Sequence, residues 1–211
     1  MMRSLVLALA LASASAFAPA PAARVSTQLG ARSQAMPFLE QPAKLDGSMA
    51  GDVGFDPLGL SNIEDVGLDL YWMREAEIKH GRIAMMAVAG VIWVEVLGSF
   101  PGMPEGFGKC QMDVFWDVWA EKPNFICAAL AFITVIEAIS GIATTKGRET
   151  GTRDPGDFNL NPMKFEVTED LKMKEVANGR LAMWAAAGEI IQGISTHDSA
   201  FGNLLHGAVP V

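Results

Sequence analysis

"KHGRIAMMAVAG" runs from Lys79 to Gly90, and "ANGRLAMWAAAG" runs from Ala177 to Gly188. From Glu75 to Gly90 and from Met173 to Gly188, eight of sixteen positions are identical. The approach segments echo as well: "GDVGFDPLGL" (Gly51 to Leu60) precedes the first copy and "GDFNLNPMKF" (Gly156 to Phe165) the second. Pro57 and Pro162 each break regular structure ahead of a helix. One unit, a loop followed by a helix, is therefore written twice, and each copy sets a charged Arg inside an apolar run.

Working outward, three segments read as membrane helices, at about 71–99, 124–144 and 169–193. The apolar part of each is about 17 to 21 residues, near the length that crosses ~30 Å of hydrocarbon at ~1.5 Å per residue. Arg82, Glu95, Glu137, Arg180 and Glu189 interrupt them. The expected fold class is all-α and integral to the membrane, with the first and third helices packed as a crossed pair about a pseudo-twofold axis along the membrane normal. Small residues at Ala84, Ala87 and Gly90, and at Ala182, Ala185 and Gly188, are expected to let the two backbones approach closely.

The charges dictate how that pair is held. Positions three apart on a helix lie about 60° apart and positions five apart about 140° apart. Glu77 therefore shares a face with His80, and Glu175 with Asn178, whereas Glu77 cannot easily reach Arg82 on its own helix. A lone charge near mid-membrane costs roughly 2.5–3.5 kcal/mol on insertion scales. A twofold axis supplies partners crosswise, Glu77 with Arg180 and Glu175 with Arg82. Glu95 is expected to snorkel to the far interface, and Glu189 lies deeper with its contact open.

A structural lock leaves His80, Asn178 and Gln192 unexplained. Each offers one nitrogen or oxygen donor on or near an apolar helix face. Scattered single donors do not build a zinc or calcium cage. They suit a metal already held by a macrocycle and needing one axial ligand, such as the magnesium of a chlorophyll. Cys110 and Cys127 form no CxxC and no zinc spacing and read as free thiols. A net charge of −8 argues against nucleic-acid binding.

The doubled pattern of Glu77, His80, Gly81 and Arg82 with Glu175, Asn178, Gly179 and Arg180 resembles the two signature helices of the chlorophyll-binding light-harvesting antenna family. "GFDPLGLS" (Gly54 to Ser61) is similar to that family's N-terminal loop. The resemblance covers about residues 36–206. "AMPFLE" (Ala35 to Glu40) and the leader look like the red-lineage branch, the fucoxanthin chlorophyll a/c-binding proteins. The resemblance implies that Glu77 and Glu175 each bind a chlorophyll magnesium while pairing with Arg180 and Arg82. It implies one chlorophyll each on His80 and Asn178, a further ligand at Gln192, another at Glu137 on the variable second helix, and a weaker match at His206. Two carotenoids would cross beside the paired helices, with heads near Asp56-Pro57 and Asn161-Pro162. Chlorophyll a, chlorophyll c and a fucoxanthin-type carotenoid are the implied cofactors.

The domain layout expected is a bipartite plastid-targeting leader over 1–35, then a pigment-binding antenna domain over 36–211. The leader has one Arg, a short apolar core, small residues and then an Ala/Ser/Arg stretch without acids, a signal peptide followed by transit-peptide composition. "ASAFAP" (Ala14 to Pro19) resembles the junction of such leaders; the alternative is an ordinary signal peptide. Lys146, Arg148, Arg153 and Lys164 lie between the second and third helices, only Lys109 and Lys122 lie between the first and second, and no Lys or Arg follows Arg180. By the positive-inside rule the N-terminus is stromal and the C-terminus lumenal in a thylakoid. Expected partners are a photosystem core, other antenna subunits and membrane lipid. No nucleophile–base pair or phosphate loop appears, so an enzyme is not expected.

Two rivals remain. A photoprotective member of the same fold would dissipate excitation, its discriminator being lumen-facing acids such as Glu105, Asp113, Asp117, Glu121 and Asp198. A small pigment-free transporter would use the charged residues to line a path.

Overall fold

A computed structural model describes residues 32–63 and 69–206, without the side chains of 203, 205 and 206. Among the described residues there is no strand, only isolated bridges. Three helices of 28 residues each dominate: α1 (Leu70–Leu97), α3 (Pro123–Thr150) and α4 (Glu169–Thr196). Two short ones sit at one end of the bundle, α2 (Gln111–Glu121) and α5 (Ala200–His206).

Local chemistry sets the ends. The Asp69 carboxylate accepts the Trp72 N–H at 2.9 Å and caps α1. Thr168 does the same for Leu171 at the start of α4, where Glu169 and Asp170 face the positive end of the helix dipole. Pro123 opens α3 and Gly151, at φ 61°, closes it. The second long helix thus runs to Thr150 rather than 144. The charges of Lys146, Arg148 and Glu149 mark where it leaves the apolar layer, and the glycine marks where it stops.

The largest interface is α1 against α4. The helices cross glycine on glycine: a Cβ on Gly81 would lie 3.0 Å from the Gly179 Cα, and one on Gly179 3.1 Å from the Gly81 Cα. This corrects the expected contact at Gly90 and Gly188, where an added Cβ would meet nothing within 4 Å. Of the expected alanines, Ala84 is buried but Ala87 is exposed. The backbones therefore approach closest at Gly81 and Gly179 rather than at Gly90 and Gly188.

α3 attaches to α1 through polar contacts. Arg148 donates to Asp69 at 2.8 Å, Thr144 to Glu75 at 3.2 Å, and Lys79 donates to both Glu137 and Ser140 at 2.8 Å. Near its start α3 buries Ile126 at the α2 end, but its middle is bare, with Phe132 68% exposed and Ile139 64%. No large side chain among the described residues is fully buried, and Trp184 on α4 is 80% exposed. Apolar surface on this scale needs an apolar surround. α1 and α3 are long and apolar enough to cross a membrane. α4 has the same length but carries more charge in its first half; Glu175 and Arg180 pair with α1, while Lys172 and Lys174 pair with Asp154, Glu169 and Asp170 around its start.

α2 was not expected from sequence. It buries Val114 and exposes Phe115, Trp116 and Trp119, an aromatic surface suited to a membrane–water boundary. Cys110, the extended residue just ahead of it, is buried and lies over Gly193. Glu95 is likewise not a snorkelling residue. It is 6% exposed and accepts the N–H groups of Ala200 at 2.8 Å and Phe201 at 3.2 Å, capping α5. At the other end, Ser33 is buried and donates to the Gly54 carbonyl at 2.6 Å, and Ala35 N–H to that of Val53 at 3.1 Å. The leader otherwise lies outside the described residues.

Candidate functional site

Both crosswise ion pairs form. Arg180 Nε donates to Glu77 Oε1 at 2.7 Å and Arg82 Nε to Glu175 Oε1 at 2.8 Å. Each arginine also reaches back to the loop of the other copy. Arg180 Nη1 donates to the Gly51 carbonyl at 2.9 Å, and Arg82 Nη1 to the Gly156 carbonyl at 2.8 Å. These glycines open the two echoed loops. Each has positive φ, 73° and 80°, and each presses on the same helical position of the opposite copy, Val176 or Ile78. One guanidinium thus fastens a carboxylate and a loop, twice. Both arginines remain 40% exposed, so the pairs sit on the flanks of the crossing, where a ligand can approach.

The loops then turn alike. Asp56 accepts the N–H groups of Leu60 and Ser61 at 2.9 and 2.8 Å, and Asn161 Oδ1 accepts that of Phe165 at 3.1 Å. Burial pushes the Asp56 carboxyl upward, but hydrogen bonds from Ser61, Leu60 and Gly59 together outweigh it and hold it below the usual range.

The carboxylates differ. Glu175 keeps Oε2 without a partner among the described residues. Both oxygens of Glu77 are engaged, because its Oε2 takes Arg74 Nη1 from the same helix. A carboxylate oxygen has two acceptor sites, so Glu77 retains capacity for a ligand.

His80 is exposed, and its Nδ1 lies 2.7 Å from the Ala76 carbonyl. A carbonyl only accepts, so Nδ1 carries the proton and Nε2 keeps its lone pair. That is how an orienting hydrogen bond fixes a metal-binding imidazole. Asn178 at the matching position of α4 is exposed, with no side-chain hydrogen bond among the described residues. Gln192 lines an open cleft with a cavity of about 90 Å³, beside Val91, Glu189 and Ile190. Glu137 is exposed on α3 with Oε2 held by Lys79, an interhelical contact that leaves Oε1 available. His206 ends α5, and its side chain lies outside the described residues. No three His, Cys, Asp or Glu converge among the described residues. Single donors spread over an apolar surface fit a ligand that brings its own equatorial ring of metal donors.

Sequence reasoning missed Glu75. It is 3% exposed and accepts from Arg153 Nη2 at 2.6 Å, from Thr144, and from the Gly156 N–H. It also missed Arg74 and Lys79. Arg74 was legible, standing three residues before Glu77; the partners of Glu75 and Lys79 lie too far along the chain to be read locally.

Comparison with known proteins identifies the family. The family described as Chlorophyll A-B binding protein matches residues 41–194. The chain is 32% identical over 204 residues to "Photosystem I chlorophyll a/b-binding protein 5, chloroplastic" of Arabidopsis thaliana, covering 82% of this chain and 75% of that protein. It is 33% identical to "Chlorophyll a-b binding protein 1B-21, chloroplastic" of Hordeum vulgare, over 81% and 71% of the two chains. It is 35% identical to "Photosystem I chlorophyll a/b-binding protein 3-1, chloroplastic" of Arabidopsis thaliana, over 86% and 75%. These are plant proteins named for chlorophylls a and b, so the family expectation holds while the red-lineage branch has no support from them. Proteins of this family bind pigment and are not enzymes, and the transporter alternative falls with that assignment. The chain belongs to the light-harvesting chlorophyll a/b-binding protein family.

Proposed function

We propose that this protein is a thylakoid antenna that holds chlorophylls on Glu77, His80, Glu175, Asn178 and Gln192, with Glu137 and His206 as further ligands. It passes excitation to a photosystem core and neighbouring antenna subunits. The observation that carries this reading is the pairing of His80 and Asn178. They occupy matching positions on the crossed helices, one ring nitrogen is left free by the Ala76 hydrogen bond, and both residues face outward beside the ion pairs. Chlorophyll bound there would supply the light absorption. The chain's own part is to fix each magnesium ligand on a rigid helix and to exclude water with the apolar surface around it. The N-terminus is stromal and the C-terminus lumenal, in line with the basic residues between α3 and α4.

The accessory pigments are chlorophyll c and a fucoxanthin-type carotenoid alongside chlorophyll a. This finer reading rests on the leader and on "AMPFLE". Pigment extraction from the purified native protein, with fluorescence excitation read at the chlorophyll a band, tests it. Chlorophylls a and c with a transferring carotenoid are expected. Chlorophyll b in place of c would return the chain to the plant branch. A folded, colourless protein would overturn the antenna reading.

A further inference from the structure

The two copies of the repeat differ at one buried charge. Position 75 of α1 is Glu, and its counterpart on α4 is Met173. We infer that Glu75 is a positioning residue for the pigment ligand Glu175 on the other helix, acting through the Gly156 peptide; this rests on the antenna reading above. Glu75 accepts the Gly156 N–H, and the carbonyl of the same residue accepts Arg82 Nη1 at 2.8 Å. Arg82 Nε in turn holds Glu175 at 2.8 Å. Glu75 therefore fixes the glycine that fixes the arginine that fixes the ligand.

The surroundings leave Glu75 little freedom. Arg153 Nη2 donates to Oε1 at 2.6 Å, and the Thr144 hydroxyl of α3 lies 3.2 Å from the same oxygen, sharing its one proton with the Ser140 carbonyl at 2.8 Å. The Arg153 guanidinium also lies 4.2 Å over the Phe158 ring and its Nε donates to the Asp157 carbonyl, so the loop after α3 is gathered around this one carboxylate. Gly156 itself cannot shift toward α1, because even a Cβ there would meet Ile78 at 2.8 Å. In the other half Gly51 receives Arg180 in the same manner, but its N–H has no side-chain acceptor among the described residues, and the repeat counterpart of Glu75 is Met173, which offers no carboxylate. Glu75 thus acts on the Arg82–Glu175 pair and leaves the Arg180–Glu77 pair alone.

The test is pigment stoichiometry of the full-length protein refolded in detergent with a thylakoid pigment extract. Three backgrounds are needed: wild type, the charge-neutral pair Arg82→Leu with Glu175→Val, and the charge-neutral pair Glu77→Val with Arg180→Leu. Glu75→Gln keeps the volume but has one acceptor oxygen in place of two, so either Arg153 or the Gly156 N–H then faces an NH2 donor. In wild type it should lower chlorophyll by about one per chain. In the Arg82/Glu175 background it should lower it no further, and in the Glu77/Arg180 background it should remove about one more. Equal losses in all backgrounds, or no loss in wild type, would overturn the positioning role and leave Glu75 a general loop clamp. If the Arg82/Glu175 pair itself loses no chlorophyll, the ligand reading of Glu175 fails instead. Should Glu75→Gln not refold, Thr144→Val removes one donor from Glu75 and should shift only the same chlorophyll's absorption band. An unchanged spectrum in that variant would count against the relay.

Discussion

The α1 half and the α4 half of the repeat carry the same motif but secure it differently. In the α1 half, Glu77 is held by two cations, Arg180 across the crossing and Arg74 beside it. In the α4 half, Glu175 has Arg82 alone among the described residues, and the residue matching Arg74 is Lys172, which pairs with Asp154 and Glu169. What the α4 half lacks in cations it gains in anchorage, because the carbonyl that steadies Arg82 is pinned by Glu75. Both additions come from adjacent positions of α1. The twofold is thus a property of the motif, and α1 supplies what makes its two sites unequal.

That inequality can be broken first at the arginines. Arg82→Leu should be the most damaging single change, because it strips Glu175 of the one cation it pairs with among the described residues and frees the Gly156 carbonyl. An uncompensated intramembrane charge costs roughly 2.5–3.5 kcal/mol. Arg180→Leu should cost less, since Glu77 keeps Arg74, though its pigment should still loosen. Refolding yield and thermal loss of pigment circular dichroism would rank the two, and equal losses would mean that Arg74 gives no backup. At the crossing, Gly81→Ala drives a methyl to 3.0 Å from the Gly179 Cα, and overpacking of this kind typically costs about 1–3 kcal/mol. Gly90→Ala meets open space and should be neutral or raise the melting temperature slightly, by helix propensity worth at most ~1 kcal/mol. A destabilised Gly90→Ala would move the contact back to where the small-residue pattern put it.

At the ligands, His80→Ala and Asn178→Ala should each lose about one chlorophyll with little change in helix content. Pigment-to-protein ratio and far-UV circular dichroism read both, and an unchanged ratio would strike that residue from the ligand set. The smallest difference lies in the loops. Asp56 has a depressed carboxyl pKa in the folded protein, so its stabilisation is complete above the ordinary carboxylate value and is lost as pH falls through the folded one. Asn161, its counterpart, does not titrate. Amide-exchange protection at Leu60 and Ser61 should therefore fall in acid while that at Phe165 holds; parallel behaviour would remove Asp56 from the turn's stability.

Much of this was legible in the chain because intramembrane charges must be paired. The doubled Glu and Arg could be satisfied only crosswise, and that single constraint yields the crossed pair. Close approach was legible in kind but not in place. The alanine and glycine spacing offers several crossing points, and the ion pairs fix the one at Gly81 and Gly179. α2 was hidden because a short aromatic helix between Gly- and Pro-rich turns has no long apolar run. Glu75 was hidden because its partners lie on α3 and in the loop beyond it, distances over which periodicity says nothing. Its counterpart Met173 was visible in the alignment of the two copies, and such mismatches within a repeat are where the halves take on separate work.

The most direct measurement is a high-resolution density map of the protein purified with its pigments. The account expects chlorophyll macrocycles with magnesium on His80 and Asn178 and on Glu77 and Glu175, at matching places about the glycine crossing. Pigments bound elsewhere, with these four side chains touching only protein or lipid, would contradict it.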